Sequence, residues 1–492
     1  MSGWRRLDRR TLGSTAAGSA GVAVSAGVPV VAGAGTAALA WVLAGGALLI
    51  GGAVLADFVR WWHTRFRCTA ERLEIEFAFV AHRRKSLPRE RIRSVDLTAH
   101  PLHRAFGIAV LSIGTGQHET PGQGRITLSP LARADAGALR TELLHREPAE
   151  PAAGGPLATL DPRWIRYAPV SFAAPALGLG AFGALLNVSE WFGARNGVLN
   201  WLLRLFGELP LALGILLLLV LAVAAGAVGA AGLFAEMWWN HRLDREPGGT
   251  LRVRRGLLTT RSITIEERRL RGVELVEPLG IRLSGAARVD AVATGVRQRD
   301  DDEKADYKTL LPPAPRRVAL DVAAQVLREP VLDRVRLRPH PRAARGRRLR
   351  WALLAVLALV LVLAVLGALL ADVLLALAGL VALPVAVVLA LDAYRGLGHG
   401  LGGRYLVTRS GSVRRSTVAL ARDGVIGWTV KQSVFQRRRG LATFTATTAA
   451  GSGAYAIRDA AADEGLRFAE AAVPGLLAPF AGGSVPAEAS RT

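Results

Sequence analysis

The chain repeats itself three times, and this repetition constrains its fold more than any other feature of the sequence. A gapless alignment of the copies superposes three columns of residues: Leu73, Leu251 and Leu406; Ile92, Leu270 and Val425; Gly107, Gly285 and Gly440. An internal repeat of this kind sets the unit of architecture. Each copy couples an apolar segment to a basic segment with the residue pattern of β-strands. The sequence therefore predicts one small membrane-anchored domain used three times.

Four long blocks of the chain carry almost no charge. They span residues 11–56, 169–189, 209–235 and 351–390, and only the last contains a charged residue, Asp372. A helix needs about 20 apolar residues to cross a bilayer. The first and last blocks are long enough for two crossings each, and the middle blocks for one each. We therefore expect six transmembrane helices.

Basic residues flank the apolar blocks, with Arg60 after the first, Arg166 before the second and Arg350 before the last. Lys and Arg near membrane ends mark the cytoplasmic side. Because an even number of predicted crossings separates successive polar segments, all three polar segments are expected in the cytoplasm. The net charge of +23 is accounted for by these flanks and by scattered arginines. Nucleic acid is therefore not a predicted partner.

The polar segments share one order of elements, a run of short strands closed by a helix. Strand patterns occupy 72–80, 92–97, 107–114 and 125–128 in the first segment, 250–253, 257–265, 273–276 and 287–293 in the second, and 405–408, 413–420, 425–430 and 441–448 in the third. Helix patterns follow at 131–146, 316–328 and 459–477. This order predicts a small antiparallel barrel or sandwich with one open end covered by the helix.

The expected fold class is therefore a membrane α plus soluble β-rich protein. Six transmembrane helices form three hairpins, and a small β-barrel or sandwich with a C-terminal helix follows each hairpin. The expected boundaries are 1–60, 151–237 and 334–394 for the hairpins, 61–150, 238–333 and 395–480 for the β-rich domains, and 481–492 for the tail. The Gly, Ser and Ala content of the tail predicts disorder.

Local motifs add a family resemblance that covers nearly the whole chain. In the first repeat a Trp61-Trp62 pair precedes Arg72-Leu-Glu-Ile-Glu, and a basic turn follows at Arg83-Arg84-Lys85. Two longer motifs come next: Leu87-Pro-Arg-Glu-Arg-Ile-Arg-Ser-Val-Asp and Leu102-His-Arg-Ala-Phe-Gly-Ile-Ala-Val-Leu. The third repeat has Val413-Arg-Arg-Ser-Thr-Val and Gln432-Ser-Val-Phe-Gln-Arg-Arg-Arg-Gly-Leu-Ala-Thr-Phe. This course resembles the bacterial pleckstrin-homology-like (PH-like) membrane proteins, in particular the YdbT-like family.

The second repeat departs most from this resemblance. It has Glu266-Glu267 in place of Pro88-Arg89, and it carries an acidic insert at Asp300–Glu303. The resemblance implies a multi-pass protein of the bacterial plasma membrane in which each β-rich segment is a cytoplasmic PH-like domain. It also implies a membrane-protein partner, such as a companion with a single PH-like repeat. It supplies no set of catalytic residues.

The sequence gives no signature of a catalytic, cofactor-binding or metal site. The acidic run at Asp300–Glu303 lacks the ligand order of an EF-hand, and the nine histidines have no metal-ligand spacing. Phosphate-loop and Gly-x-Ser-x-Gly motifs are absent. The single cysteine, Cys68, excludes an intramolecular disulfide. We therefore expect no enzymatic activity and no cofactor.

Clusters of basic residues in the three polar segments are candidates for contact with membrane lipids. The candidate set is Arg83, Arg84 and Lys85; Arg254 and Arg255; Arg414 and Arg415; and Arg437, Arg438 and Arg439. Each basic residue near an anionic membrane surface contributes about 1 kcal/mol of binding. The alternative is solvated charge that only orients the chain in the membrane.

Triplication without a catalytic motif favours a binding function. We expect a non-enzymatic membrane scaffold that displays three PH-like domains at the inner leaflet and binds a membrane or envelope partner. The alternative is a component of transport or export, or of resistance to toxic peptides at the envelope. Ion-coupled transport needs ionisable groups near the bilayer midplane, and the apolar blocks are nearly free of them.

Overall fold

The computed structural model describes residues 4–477 apart from positions 70, 79–81, 90–91, 93, 115–124, 144–154, 171–172, 192–195, 198–199, 201–203, 205–210, 247–248, 295–307 and 371–372. The chain forms two compact units, Met1–Glu267 and Arg268–Thr492. The boundary between them falls inside the second predicted β-rich domain. The acidic insert at 300–303, Asp372 and the tail at 481–492 lie outside the described residues.

The first unit contains two pairs of long helices and eleven strands among its described residues. The helices are α1 (Arg10–Ala34), α2 (Leu39–His63), α3 (Pro101–Ala105), α4 (Arg133–Leu143), α5 (Ala173–Trp191) and α6 (Leu211–Trp238). The strands are β1 (Arg5–Arg6), β2 (Thr64–Cys68), β3 (Arg72–Ala78), β4 (His82–Pro88), β5 (Ser94–Ala99), β6 (Ile108–Gly114), β7 (Arg125–Ala132), β8 (Ala158–Thr159), β9 (Arg242–Glu246), β10 (Thr250–Arg255) and β11 (Thr260–Glu266). Helix α1 packs against α2, and α5 packs against α6.

The second unit contains one pair of long helices and nine strands in the part that the structure describes. Its helices are α7 (Leu279–Leu283), α8 (Arg316–Leu327), α9 (Val331–Arg334), α10 (Arg342–Leu370), α11 (Val373–Arg395), α12 (Val434–Arg437) and α13 (Ala462–Ala472). Its strands are β12 (Leu270–Pro278), β13 (Ala286–Ala293), β14 (Thr309–Pro315), β15 (Gly398–Gly402), β16 (Tyr405–Ser410), β17 (Arg414–Ala421), β18 (Val425–Lys431), β19 (Leu441–Thr448) and β20 (Ala454–Ala461). Helix α10 packs against α11.

The structure gives the residues of the repeat alignment equivalent roles. The three aligned leucines are each fully buried, at 0% exposure: Leu73, Leu251 and Leu406. The three aligned glycines follow the short helices α3, α7 and α12, and their φ angles are 68°, 76° and 64°: Gly107, Gly285 and Gly440. A side chain is strained at such positive φ values. The repetition of the sequence is therefore a repetition of backbone conformation.

The first and third repeats each build a core from two layers of strands and one helix. In the first repeat, Leu73 of β3 shares a core with Val95 of β5 and Leu139 of α4. In the third, Leu406 of β16 shares a core with Phe444 of β19. Antiparallel strands in two layers beside a C-terminal helix agree with the expected β-rich architecture.

Two of the sheets cross the boundary between successive repeats. Strand β5 of the first repeat pairs antiparallel with β11 of the second, with Thr98 opposite Arg261. Strand β12 of the second repeat pairs antiparallel with β17 of the third along Gly272–Pro278. The results are a seven-stranded sheet in the order β7-β6-β5-β11-β10-β9-β8 and a six-stranded sheet in the order β14-β13-β12-β17-β16-β15. Local sequence patterns did not predict this sharing of sheets.

Eight described strands lie outside the predicted strand ranges: β1, β2, β4, β8, β9, β14, β15 and β20. The predicted helix 459–477 begins at Ala462, because β20 extends to Ala461. The basic group Arg83-Arg84-Lys85 lies inside β4 rather than in a turn, because the neighbouring β3 places Glu74 within 3.3 Å of Arg84 and so offsets its charge. Strand β14 was missed because it contains Pro312, Pro313 and Pro315. These prolines are tolerated because β14 lies at the edge of its sheet, where a missing N–H breaks no ladder.

Four helices in the described part of the chain are long and apolar enough to cross a membrane. The qualifying segments are Arg10–Val31, Thr36–His63, Leu217–Trp238 and Arg342–Leu366. A shorter apolar helix covers Ala176–Glu190. Membrane association therefore follows from length and composition, while the full count of six crossings stays a prediction.

The shared sheet between β12 and β17 predicts a sharp difference between two aligned glycines. A Cβ at Gly272 would lie 2.0 Å from the backbone oxygen of Ala419 in the next repeat, whereas a Cβ at Gly427 has nothing nearer than 4.0 Å. We expect Gly272→Ala to lower the free energy of unfolding by about 1–3 kcal/mol, the usual cost of overpacking. Gly427→Ala should change it little. Denaturant unfolding of the full chain in detergent measures both, and equal losses would contradict the register.

Candidate membrane-interface site

In the second unit, the end of α11 is joined to neighbouring strands and helices by one carboxylate. Asp392 accepts hydrogen bonds from Arg282 of α7 at 2.7 Å, from Arg415 of β17 at 2.8 Å and from the Ser412 hydroxyl at 2.7 Å. Charge-assisted bonds of this kind are stronger than neutral ones. Asp392 therefore fixes the helix end to elements of both the second and the third repeat.

The start of α10 is held by a second carboxylate, that of Asp459. Its side chain is buried and accepts hydrogen bonds from Arg347 and Arg348 of α10 and, at 2.9 Å, from Gln436 of α12. Asp459 has a φ of 59°, a left-handed conformation that Asp tolerates better than most residues. This carboxylate joins the apolar helix pair to strand β20.

The helix ends of the first unit are hydrogen-bonded to segments that flank the strands. The indole Nε1 of Trp61, near the end of α2, donates to the Leu7 carbonyl at 2.8 Å. The Glu236 carboxylate, near the end of α6, accepts from the backbone N–H groups of Leu258 and Thr259, both at 2.9 Å. Each pair of long helices is thus attached to its β-rich segment by specific buried or half-buried contacts.

An open cleft of about 900 Å³ lies where the α10–α11 pair meets the third repeat. Its walls are apolar and come from the two long helices, including Trp351, Leu359 and Leu389. Its polar side carries Arg347, Arg348, Lys431, Arg458 and Asp459. Apolar walls with a few charged groups fit an amphiphilic ligand whose head is anionic.

Beside the cleft, the short helix α12 exposes apolar and basic side chains together. Val434 is 57% exposed and Phe435 is 60% exposed. The exposed residues Arg437, Arg438 and Arg439 follow after the buried Gln436. A Cβ at Gly346 of α10 would lie 2.9 Å from the Arg439 guanidinium, so this turn lies next to the start of a candidate membrane helix. Exposed apolar side chains flanked by cations suit a membrane–water interface.

Two buried histidines lie beneath this region. His340 Nδ1 is 3.3 Å from the Asp459 carbonyl, and His340 Nε2 is 3.0 Å from His399 Nδ1. Since a carbonyl only accepts, His340 donates through Nδ1 and its Nε2 accepts a hydrogen bond from His399. His399 can then gain charge only at Nε2, which is buried without a hydrogen-bond partner in the described residues. Burial, with smaller effects of His340 and Arg338, lowers the pKa of His399 to about 4.

The predicted lipid-contact residues occupy different environments. Three of them, Arg437, Arg438 and Arg439, lie in the α12 turn, and four are exposed on strands: Arg84, Lys85, Arg254 and Arg414. Arg83 lies on β4 in register with Phe77, and Arg415 is bonded to Asp392. Arg255 is buried, with its guanidinium 4.2 Å from the Trp238 ring. The α12 cluster combines three exposed basic residues with two exposed apolar ones beside a candidate membrane helix. Lipid contact by the whole set stays a prediction.

Sequence reasoning missed the carboxylates and histidines of this site. Asp392, Asp459, His340 and His399 come from four separate elements, and their partners lie far along the chain. Their sequence neighbours carry no motif. The only available signal was an acidic residue close to the end of an apolar block, as at Asp392.

Two regions of the chain, residues 23–147 and 352–472, match the family model of the bacterial PH domain. Each region begins within a long apolar helix, α1 or α10, and extends as far as the C-terminal helix of the first or third repeat. Together the matched regions make up half of the chain, which therefore belongs to the bacterial PH domain family. No curated protein and no solved structure matches the chain.

The histidine pair predicts a loss of stability in acid. His399 titrates near 6.5 when unfolded and near 4 when folded, so the unfolded state binds its proton first. The contribution of His399 to the free energy of unfolding is fully present above pH 6.5, and it falls by up to about 3 kcal/mol as the pH drops to 4. His399→Asn keeps a donor for His340 but cannot titrate, and should flatten this slope in thermal melts. His100→Asn, at an exposed position, should keep it; equal slopes in both variants would contradict the assignment.

The buried carboxylate Asp459 predicts a large effect from a conservative change. Asp459→Asn keeps the left-handed backbone but leaves Arg347 and Arg348 without their counter-ion. We expect a loss of about 2–3 kcal/mol, below the value for fully buried pairs because both guanidinium groups are partly solvated. Asp463→Asn, at an exposed position of α13, is the matched control and should be neutral. Urea unfolding of both variants distinguishes these outcomes.

Proposed function

We propose that this chain is a non-enzymatic integral membrane scaffold, which holds PH-like domains at the cytoplasmic face of the plasma membrane and binds a membrane or envelope partner. The observation that carries the proposal is the direct hydrogen bonding of helix ends to strands and to the segments that flank them. Asp392 and Asp459 fix both ends of one helix pair, and Glu236 fixes another. Such contacts give a domain a defined pose at the membrane, which a flexible tether would not need.

The use of the ionisable groups supports a binding function rather than catalysis. In the described residues, no group of three or more His, Cys, Asp or Glu side chains could hold a metal ion. The most buried carboxylates, Asp290 and Asp459, are paired with cations. The buried histidines His340 and His399 bond to each other. These groups stabilise structure, and we assign none of them a catalytic role.

The orientation in the membrane is part of the proposal. Arg60, near the end of α2, and Arg342, Arg345 and Arg350, in the first turns of α10, lie at the helix ends that lead to strands. The positive-inside rule then favours a cytoplasmic location for the β-rich segments. With the six crossings expected from the sequence, the protein would be multi-pass and YdbT-like, and a companion with a single PH-like repeat is a fitting partner.

The scaffold proposal is tested by in-cell crosslinking of the tagged chain followed by gentle purification. We expect a membrane protein to be recovered in near-equimolar amount. A matched variant with Val434 and Phe435 changed to Ser removes the exposed apolar surface of α12 without touching the buried contacts, and should lower this recovery. Recovery of the chain alone, together with solute flux in proteoliposomes, would favour the alternative of a transport or export component.

The α12 cluster predicts a preference for acidic phospholipid. Changing Arg437, Arg438 and Arg439 together to Gln should weaken retention of such lipid by at least about tenfold, because each cation near an anionic surface contributes about 1 kcal/mol. The measurement is the ratio of phosphatidylglycerol to phosphatidylcholine that purifies with the chain after reconstitution in an equal mixture.

The control for this experiment removes the same charge elsewhere in the second unit. Arg317, Arg336 and Arg467 are exposed and lie on other elements, and their joint change to Gln should leave the lipid ratio unchanged. If the lipid ratio fell equally in both triple variants, the preference for acidic phospholipid would depend on net charge alone. The α12 turn would then not be a lipid site.

A further inference from the structure

The sharing of sheets between repeats leaves two strands with an open edge. The repeat alignment makes β4, β11 and β17 equivalent, and likewise β5, β12 and β18. Strand β5 pairs with β11, and β12 pairs with β17. Within the described sheets, β18 of the third repeat and β4 of the first lie at edges. In the two observed junctions the strands equivalent to β18 and β4 pair with each other, whereas β18 and β4 have no such partner within the described sheets.

The exposed edge of β18 has one of the usual protections of edge strands, an irregularity between Val425 and Gly427, but β12 has the equivalent irregularity between Leu270 and Gly272 and still pairs with β17. Natural edges are blunted by charge, proline or strong bulging to prevent pairing with other chains. On β18, Ile426 is 64% exposed and Val430 is 45% exposed. The strand carries one charged residue, Lys431, at its last position. Such a strand is suited to receive another strand by main-chain hydrogen bonding.

A glycine on β18 points to the same conclusion. Gly427 is the equivalent of Gly272, where a Cβ would meet the backbone oxygen of Ala419 from the next repeat. At Gly427 a Cβ would meet no atom nearer than 4.0 Å, and the backbone has no positive φ that demands glycine. The folded chain therefore does not need glycine at position 427. A strand placed on β18 as β17 is on β12 would meet a Cβ at this position, whereas Ser94 holds the aligned position of β5, whose ladder to β11 is described for Leu97–Ala99.

The two existing junctions predict one register for the missing one. Transferred through the repeat alignment, the β12–β17 pairing of Glu274 with Val418 places Thr429 opposite Lys85. The β5–β11 pairing of Leu97 with Ser262 places Val430 opposite Arg84. These two assignments are the same antiparallel register, although they derive from different sheets.

We propose that β18 of one chain pairs with β4 of a second copy of this chain, so that copies join head to tail through the edge contact that joins the repeats. The strand that pairs with β18 is β4, because its equivalents β11 and β17 already pair with β5 and β12. In the described sheets, β4 has no such neighbour and lies at an edge. In this register Lys431 lies opposite Arg83, a like-charge pair, while Arg84, opposite Val430, is within 3.3 Å of Glu74, which offsets its charge. The inference rests on sheet geometry and is independent of the scaffold function.

Cysteine crosslinking between two differently tagged chains tests this contact. Both carry Cys68→Ala, which removes the single, buried cysteine. One then carries Lys85→Cys and the other Thr429→Cys, at two exposed positions. Directly opposite residues of an antiparallel pair have Cα atoms about 4.5–5.5 Å apart, within the range of a disulfide. After co-expression and oxidation in membranes, we expect a disulfide-linked product with both tags.

The control uses Ile426→Cys in place of Thr429→Cys, three positions along the same exposed strand. It should give at most a trace of the mixed product, because the register moves it away from Lys85. No mixed product from the Lys85 and Thr429 chains would overturn the proposal, as would equal yields from both combinations. A product of single-chain mass, formed only when both cysteines are in one chain, would overturn it too.

Two further variants separate docking from folding. Gly427→Val should abolish the mixed product while leaving the melting temperature of the chain unchanged. Val430→Glu should raise the yield, and Val430→Lys should lower it, each by roughly 1.5- to 5-fold, the range for charge pairs across strands. If the yield of the mixed product were the same with Gly427→Val, Val430→Glu and Val430→Lys, the contact would not be this strand pair.

Discussion

The pairing of strands between repeats is the interaction on which the rest of the structure depends. Without the β12–β17 ladder, the six-stranded sheet would fall into two groups of three strands, and β12 would lose a neighbour along Gly272–Pro278. The β5–β11 ladder has the same role in the first unit. In repeat arrays, stability is approximately a sum of repeat and nearest-neighbour interface terms. Here the interface combines a backbone ladder with apolar packing, since Val292 of β13 lies in the core of the third repeat.

The attachment of helices to strands uses charge where a soluble domain would use apolar packing. Asp459 is almost fully buried, yet it is bonded to two guanidinium groups and an amide. Burying ions is costly unless their hydrogen bonds are complete. A directional contact nevertheless fixes geometry better than apolar packing does, because it tolerates few alternative arrangements. The junction between the apolar helices and the sheets is a place where such precision matters.

The sequence predicted the parts of this fold that depend on local pattern. The repeat columns, the apolar helices and most strands of the first and third repeats follow from periodicity and composition. Strand β4 was missed because its cations are offset by Glu74, and β14 because its prolines lie at an edge. Pattern reports which face of a strand is buried but not which strand lies beside it. The shared sheets and the sites at Asp392 and Asp459 depend on tertiary structure and therefore could not be predicted from local pattern.

The shared sheet of the first unit also imposes an order on biosynthesis. Strand β5 leaves the ribosome long before β11, since the whole second helix pair is synthesised between them. At ordinary translation rates the delay between Ala99 and Thr260 is about 10–30 s. Throughout that interval the edge of β5 has no partner from its own chain. The nascent protein must therefore keep this strand edge unpaired without aggregating while α5 and α6 are being synthesised.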